Sequence, residues 1–140
     1  MKKVIILGVG LIGSTIAADL SKDYLVTAVD SNSDRLKTLS DKKIKTIVAD
    51  LSSNSEIKRV IKDYDLVIGG LPGFMGFKVL KAVIEEGKNV VDISFFSEDP
   101  FLLDDIAKEK GVTAVVDCGV SPGLSNIILG YLNERMKIKD

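Results

Sequence analysis

The segment Gly8-Val9-Gly10-Leu11-Ile12-Gly13 directly follows the apolar run Lys3–Leu7 and precedes apolar residues at helical spacing. A strand, a glycine-rich turn and a helix in this order form the pattern that binds the pyrophosphate of a dinucleotide. Gly8 allows the tight turn, Gly10 lets the pyrophosphate approach the backbone, and Gly13 lets the helix pack on the strand. The unpaired N–H groups at the start of the helix would attract the phosphates. An ordinary tight turn is the alternative interpretation.

An acidic residue stands where the ribose of such a cofactor is expected. Asp30 follows the second apolar run, Leu25–Val29, about 20 residues beyond the middle glycine of the turn. A carboxylate there accepts hydrogen bonds from the ribose hydroxyls of NAD, whereas it repels the 2′-phosphate of NADP. Ser31 and Asn32 follow instead of the arginine typical of NADP sites, and Arg35 is expected on a solvated helix face. The sequence therefore predicts NAD in preference to NADP, with a surface aspartate as the alternative.

Six short apolar runs rich in β-branched residues alternate with segments of helical spacing. Runs without polar alternation are typical of strands buried on both faces of a parallel sheet. Strict alternation with helices predicts a doubly wound α/β fold in three layers, the Rossmann fold. Right-handed crossovers favour the strand order 3-2-1-4-5-6. We expect the strands at Lys3–Leu7, Leu25–Val29, Lys45–Ala49, Asp65–Ile68, Asn89–Ile93 and Val112–Val116.

The turns after the third and fourth strands are further candidate cofactor contacts. Asp50 and Leu51 would border the adenine pocket, although an acid that only caps a loop fits this position equally well. After the fourth strand, Gly70, Leu71 and Pro72 lie within a Gly-Gly-Leu-Pro-Gly segment. Glycines there would let the backbone approach the cofactor where the two halves of the sheet meet. A flexible loop is the alternative for this segment.

Composition excludes several classes of function. The 140 residues fit one domain, and 19 Lys and Arg against 20 Asp and Glu give a net charge of −1, so we expect no nucleic-acid partner. No apolar run approaches the ~20 residues that span a bilayer, so we expect no membrane partner and a cytoplasmic location. The chain has no histidine, which removes Ser-His triads and nearly all zinc sites, and we expect no metal. The single cysteine, Cys118, is expected to be a small buried residue, and a position lining the active site is the alternative.

Two later segments go beyond a generic dinucleotide-binding fold. One is Val90-Val91-Asp92-Ile93-Ser94-Phe95-Phe96, and the other is Asp117-Cys118-Gly119-Val120-Ser121-Pro122-Gly123-Leu124-Ser125-Asn126. Together with the Gly-Gly-Leu-Pro-Gly turn, they resemble the saccharopine dehydrogenase-like family, and most closely its lysine 6-dehydrogenase branch. The resemblance covers essentially the whole chain. It implies the N-terminal NAD(P)-binding domain of a longer oxidoreductase that acts on the C–N bond of an amino acid of the lysine or saccharopine type.

The resemblance also implies which residues contact the cofactor. Saccharopine-forming reductases have an arginine at the position of Ser31, consistent with their use of NADP, and this chain departs from them there. The implied contacts are Val9, Gly10, Leu11 and Ile12 at the pyrophosphate, Asp30, Ser31 and Asn32 at the ribose, Asp50 and Leu51 at the adenine, Gly70 and Leu71 near the nicotinamide half, and Val120 in the last turn.

Substrate contacts implied by the resemblance fall on Ser94, Phe95 and Ser121. The reductases bind saccharopine through a Ser-Tyr pair and an Asp just before Pro-Gly, where this chain has Ser94-Phe95 and Ser121. Both departures remove polar groups, which puts saccharopine itself in doubt as the substrate.

We expect the Rossmann domain to span residues 1–136, and residues 137–140 to begin a second domain for substrate binding and dimerisation. No catalytic residue is assigned, and this chain alone is expected to be inactive. Any homo-oligomer would form through the second domain. Two alternatives stay open, a nucleotide-binding regulatory module of the RCK type and a stand-alone dinucleotide-binding domain. RCK modules usually carry a Thr-x-Asp/Glu cluster where this chain has Gly-Leu-Pro-Gly.

Overall fold

The computed structural model describes residues 1–39 and 43–136, which form one parallel sheet with helices between successive strands. The strands are β1 (Lys3–Leu7), β2 (Leu25–Asp30), β3 (Lys45–Val48), β4 (Leu66–Gly69), β5 (Asn89–Asp92) and β6 (Ala114–Val115). The helices are α1 (Leu11–Leu20), α2 (Ser33–Lys37), α3 (Asn54–Ile61), α4 (Gly73–Glu85), α5 (Asp104–Lys110) and α6 (Leu124–Arg135), with a 3₁₀ turn at Pro100–Leu103 before α5.

The strand order is β3-β2-β1-β4-β5-β6, which confirms the predicted doubly wound topology. β1 lies between β2 and β4, and Leu7 stands opposite both Val29 and Gly69. The carboxyl ends of these three strands therefore lie side by side at the point where the strand order reverses. Ligands of open α/β sheets bind in the crevice that forms there.

Apolar side chains cover both faces of the sheet, which explains why the strands lack polar alternation. Along β1, Ile5 and Leu7 belong to one core cluster, whereas Val4 and Ile6 belong to the other. This alternation follows from the two-residue period of a strand. The first cluster includes side chains of α3 and α4, and the second includes those of α1 and α2.

The sixth strand is shorter than the predicted Val112–Val116. Its start is delayed because Gly111 adopts the left-handed conformation at φ 63° and the Val112 N–H bonds back to the Ala107 carbonyl at the end of α5. Its end comes early because Asp117 is also left-handed, at φ 56°. The predicted start of a second domain, residues 137–140, lies outside the described residues.

Candidate dinucleotide-binding site

A cleft of about 640 Å³ lies at the carboxyl ends of the strands, where the strand order reverses. It is lined from both halves of the sheet, by the turns after the first five strands. Of the residues predicted from the sequence, it brings together Gly8, Gly10, Leu11, Ile12, Gly13, Asp30, Ser31, Asp50, Leu51, Gly70, Leu71, Pro72, Ser94 and Phe95.

The glycines of the first turn have distinct steric surroundings. Gly8 is left-handed at φ 97°, and a Cβ there would lie only 2.7 Å from the Gly70 carbonyl oxygen. A Cβ at Gly13 would overlap the Gly8 carbonyl, so Gly13 allows α1 to begin against the turn. A Cβ at Gly10 would meet nothing within 4 Å. This space, beside the unpaired first N–H groups of α1, is large enough for a pyrophosphate to approach.

Asp30 connects the first turn to the end of β2 through hydrogen bonds of its carboxylate. It is only 6% exposed, and its Oδ2 accepts a hydrogen bond of 2.8 Å from the Val9 N–H. Its Oδ1 accepts a second bond of 2.8 Å, from the Asn32 N–H. A carboxylate has about four acceptor sites, so it retains capacity for ribose hydroxyls. Val9 thus contributes by fixing Asp30, and the exposed Asn32 caps α2 by accepting from Arg35 and its neighbour.

Arg35 lies closer to the site than the sequence predicted. Its side chain is 58% exposed, as expected for a solvated face, but Nη1 lies 3.7 Å from Asp30 Oδ2 and the residue lines the cleft. The five-residue helix α2 begins immediately beyond the end of β2, so its first turn lies over Asp30. The short spacing between Asp30 and Arg35 in the sequence is the signal that indicates this approach.

On the expected adenine side, Asp50 and Leu51 differ in environment. Asp50 is exposed, and its Oδ1 accepts a 2.9 Å bond from the Ser52 N–H, which lowers the pKa of this carboxyl. This is the geometry of a loop-capping acid, although the residue also lines the cleft. Leu51 is buried in the core and gives this part of the cleft an apolar wall.

A buried polar pair lies at the end of β5, where the sequence predicted a role for Ser94 but none for Asp92. Asp92 is 2% exposed and Ser94 is 5% exposed. The Ser94 N–H donates a 2.7 Å bond to Asp92 Oδ1, and the Ser94 hydroxyl donates to the same oxygen. Burial raises the pKa of Asp92, the bonds from Ser94 oppose that rise, and the negative charge of Asp117 adds to it. An acid within the apolar run of β5 was the signal for this pair.

The remaining predicted residues lie outside the cleft lining. Val120 and Ser121 are exposed in the turn between β6 and α6, which contains a cis peptide bond between Ser121 and Pro122. Cys118 is half-buried, and burial together with the negative charges of Asp92 and Asp117 raises the pKa of its thiol. The thiol is therefore protonated at neutral pH, as a packing residue would be.

Within residues 1–39 and 43–136, no group of three or more Cys, Asp or Glu side chains is arranged to hold a metal ion. No helix within the same ranges has the length and apolar character required to cross a membrane.

The reversed strand order, the open glycine turn at the start of α1 and the buried acid after β2 together define a nicotinamide dinucleotide-binding Rossmann domain. Residues 4–115 match the family model described as the saccharopine dehydrogenase NADP binding domain. The chain belongs to this family, which confirms the resemblance found in its sequence. The match favours a cofactor-binding domain of this family over a regulatory module of the RCK type.

Individual relatives agree with this assignment. Saccharopine dehydrogenase [NADP(+), L-glutamate-forming] of Pyricularia oryzae is 30% identical over 81 residues, covering 58% of this chain and 18% of the relative. The mitochondrial alpha-aminoadipic semialdehyde synthase of Mus musculus is 27% identical over 131 residues, covering 91% and 14%. Apo saccharopine dehydrogenase (L-Glu forming) from Saccharomyces cerevisiae has the same fold, with a TM-score of 0.87, 23% identity and coverage of 96% and 31%. The chain thus spans less than a third of each of these proteins.

Proposed function

We propose that this chain is the cofactor-binding domain of an NAD-dependent dehydrogenase that oxidises a C–N bond of an amino acid. The observation that carries the proposal is the single cleft that joins the glycine turn, Asp30 and the backbone of Gly70 at the reversal of strand order. Relatives named as saccharopine dehydrogenase and alpha-aminoadipic semialdehyde synthase support an amino-acid substrate.

Each part of the cleft has a distinct binding role. The first N–H groups of α1 would bind the pyrophosphate, with Gly10 providing the approach, and Asp30 would accept the adenosine ribose hydroxyls. Leu51 would contact the adenine, and the backbone at Gly70 would lie beside the nicotinamide half. When bound, the cofactor supplies hydride transfer, whereas this chain supplies binding and orientation.

The preference for NAD rests on the fixed position of Asp30. Because two backbone N–H groups hold its carboxylate, it cannot turn away from a 2′-phosphate without losing both bonds. Ser31 offers no positive charge, and the exposed Arg35, 3.7 Å from Asp30, would reduce the repulsion only in part. NADP therefore binds as the weaker ligand, even though the family model is named for NADP.

A second region outside residues 1–136 completes the substrate pocket in this proposal. Phe95, 74% exposed, and Ser121, also exposed, provide at most one wall of such a pocket. The apolar face of a helix normally packs against other structure. Helix α6 exposes apolar side chains that the second region would cover: Leu124, Ile127, Ile128, Leu129 and Leu132.

Calorimetric titration with NAD(H) and NADP(H), paired with a coupled activity assay, tests the proposal. We expect dinucleotide binding with NAD(H) tighter, and background rates with lysine, saccharopine and related amino acids. Failure to bind either dinucleotide would disprove the cofactor-binding role. Steady NADH production by this chain alone would show that the catalytic site is already complete within it.

A further inference from the structure

The buried pair at the end of β5 has a defined hydrogen-bond direction. Both donors of Ser94, its main-chain N–H and its hydroxyl, bond to the same oxygen, Oδ1 of Asp92. The first bond fixes where the chain turns after β5, and the second fixes the rotation of the hydroxyl. Asp92 thus determines both the place and the orientation of Ser94.

The neighbouring elements are shaped around this pair. Gly69 stands opposite Asp92 in the register of β4 and β5, and a methyl group there would overlap the Asp92 carboxylate. A methyl group at Gly76 of α4 would overlap the Ser94 hydroxyl, and one at Gly73 would overlap the Phe95 carbonyl. Close packing against β4 and α4 holds the pair in one arrangement.

The bond from Ser94 to Asp92 determines whether the Ser94 hydroxyl can donate or accept a hydrogen bond with a ligand. A serine hydroxyl has one proton and two lone pairs, and here the proton lies on the bond to Asp92. No residue within the described ranges donates a hydrogen bond to the Ser94 oxygen. Ser94 lines the cleft together with Gly70, Leu71 and Pro72, where the nicotinamide half is expected. A ligand group that reaches the Ser94 hydroxyl from this cleft would therefore have to be a hydrogen-bond donor.

We propose that Asp92 is a positioning residue that orients the Ser94 hydroxyl to accept a hydrogen bond from the carboxamide N–H₂ of the nicotinamide ring. The inference rests on the proposed function and assigns Ser94 to the cofactor rather than to the substrate. The carboxamide is the one part of the ring that carries N–H donors. Its bond to Ser94 would fix the rotation of the ring, and hence the face that is presented to the substrate.

The test compares NAD with acetylpyridine adenine dinucleotide, in which a methyl group replaces the carboxamide amine. The measured quantity is the Kd of the analogue divided by the Kd of NAD, which does not depend on the folded fraction of a sample. Ser94→Ala and Asp92→Ala should each lower this ratio about two- to tenfold, the value of one neutral hydrogen bond. Asp92→Asn should retain the original ratio, because an amide oxygen can accept both bonds from Ser94. Ser97→Ala, at an exposed serine of the same loop, is the matched control.

The outcomes separate this inference from the proposed function. If the unmutated protein binds neither dinucleotide, the proposed function fails and the inference falls with it. If NAD binds but Ser94→Ala leaves the ratio unchanged, only the inference is overturned, and this variant applies even where Asp92→Ala does not fold. Equal weakening of both ligands in Asp92→Ala would reveal a merely structural role. A lower Kd ratio in Asp92→Asn would contradict the proposal that Asp92 orients the Ser94 hydroxyl by accepting its hydrogen bond.

Discussion

Substitution of Asp30 should narrow the preference for NAD over NADP. Asp30→Ala removes the carboxylate that accepts from the ribose of NAD and repels the 2′-phosphate of NADP. A hydrogen bond to a charged group contributes about 1.5–3 kcal/mol, which corresponds to a loss of about ten- to a hundredfold in NAD affinity. NADP has no 2′-hydroxyl whose bond to Asp30 could be lost, and it is relieved of the repulsion between Asp30 and its 2′-phosphate. The ratio of the NADP Kd to the NAD Kd should therefore fall by at least about tenfold.

Substitution of Arg35 should act in the opposite direction and more weakly. Its guanidinium is more than half exposed and lies 3.7 Å from Asp30, beside the expected phosphate position. Exposed charge pairs contribute about 0.2–1 kcal/mol, so Arg35→Ala should weaken NADP by no more than about fivefold. Added salt should reduce the effect of Arg35 more than that of Asp30, because buried charges are screened less than exposed ones.

The assay is a fluorescence titration of NADH and NADPH against each variant at low and high salt. Asp34→Ala is the matched control, since Asp34 is an exposed acid on α2 that pairs with Lys37 at 2.7 Å. Asp30→Ala also loses two bonds to backbone N–H groups, so circular dichroism should verify that it is folded. Equal affinities for NADH and NADPH in the unmutated protein would refute the reasoning, as would an unchanged ratio in Asp30→Ala.

Three further variants test the phosphate turn and the buried acid. Gly10→Val should abolish dinucleotide binding yet leave the melting temperature nearly unchanged, because a Cβ at Gly10 has no protein atom within 4 Å. In Gly13→Ala the new Cβ would overlap the Gly8 carbonyl, so this variant should instead lower the free energy of unfolding by about 1–3 kcal/mol. If Gly10→Val binds NAD with the original affinity, the phosphates are not held at this turn. Burial raises the pKa of Asp92, so the folded protein binds the carboxyl proton of Asp92 more tightly than the unfolded chain does. The free energy of unfolding therefore falls as the pH rises from the pKa of Asp92 in the unfolded chain through its raised pKa in the folded protein. Asp92→Asn should therefore stabilise the protein at neutral pH, with a gain that shrinks as pH falls through that window; an equal gain at every pH in thermal melts would contradict this.

The sequence was sufficient to predict the topology because its signals are local. The strands β1 and β2 are continuous apolar runs, and both are buried on two faces as that pattern requires. The handedness of the crossovers then leaves a single preferred strand order. The shortened β6 could not be predicted in the same way, because its end depends on the left-handed backbone of Asp117, a conformation that aspartate does not usually adopt.

The sequence predicts a residue of the site only where a motif with known spacing assigns that residue its role. The glycine turn and Asp30 belong to one motif, and the cleft brings them together. The approach of Arg35 to Asp30 depends instead on the direction in which the short helix α2 leaves the sheet. Helical spacing alone carries no information about that direction.

The register of β4 and β5 gives Gly69 a role different from the one that its sequence position suggests. Its place in a glycine-rich turn suggested that it serves the approach of a cofactor. In the sheet it stands opposite Asp92, and the space left by its missing side chain is occupied by that carboxylate. The pairing joins residues that are far apart in the chain, so no local pattern could reveal it. The glycines after β4 therefore serve two purposes: Gly70 gives the cleft an open backbone, and Gly69 allows a buried acid to orient the serine beside it.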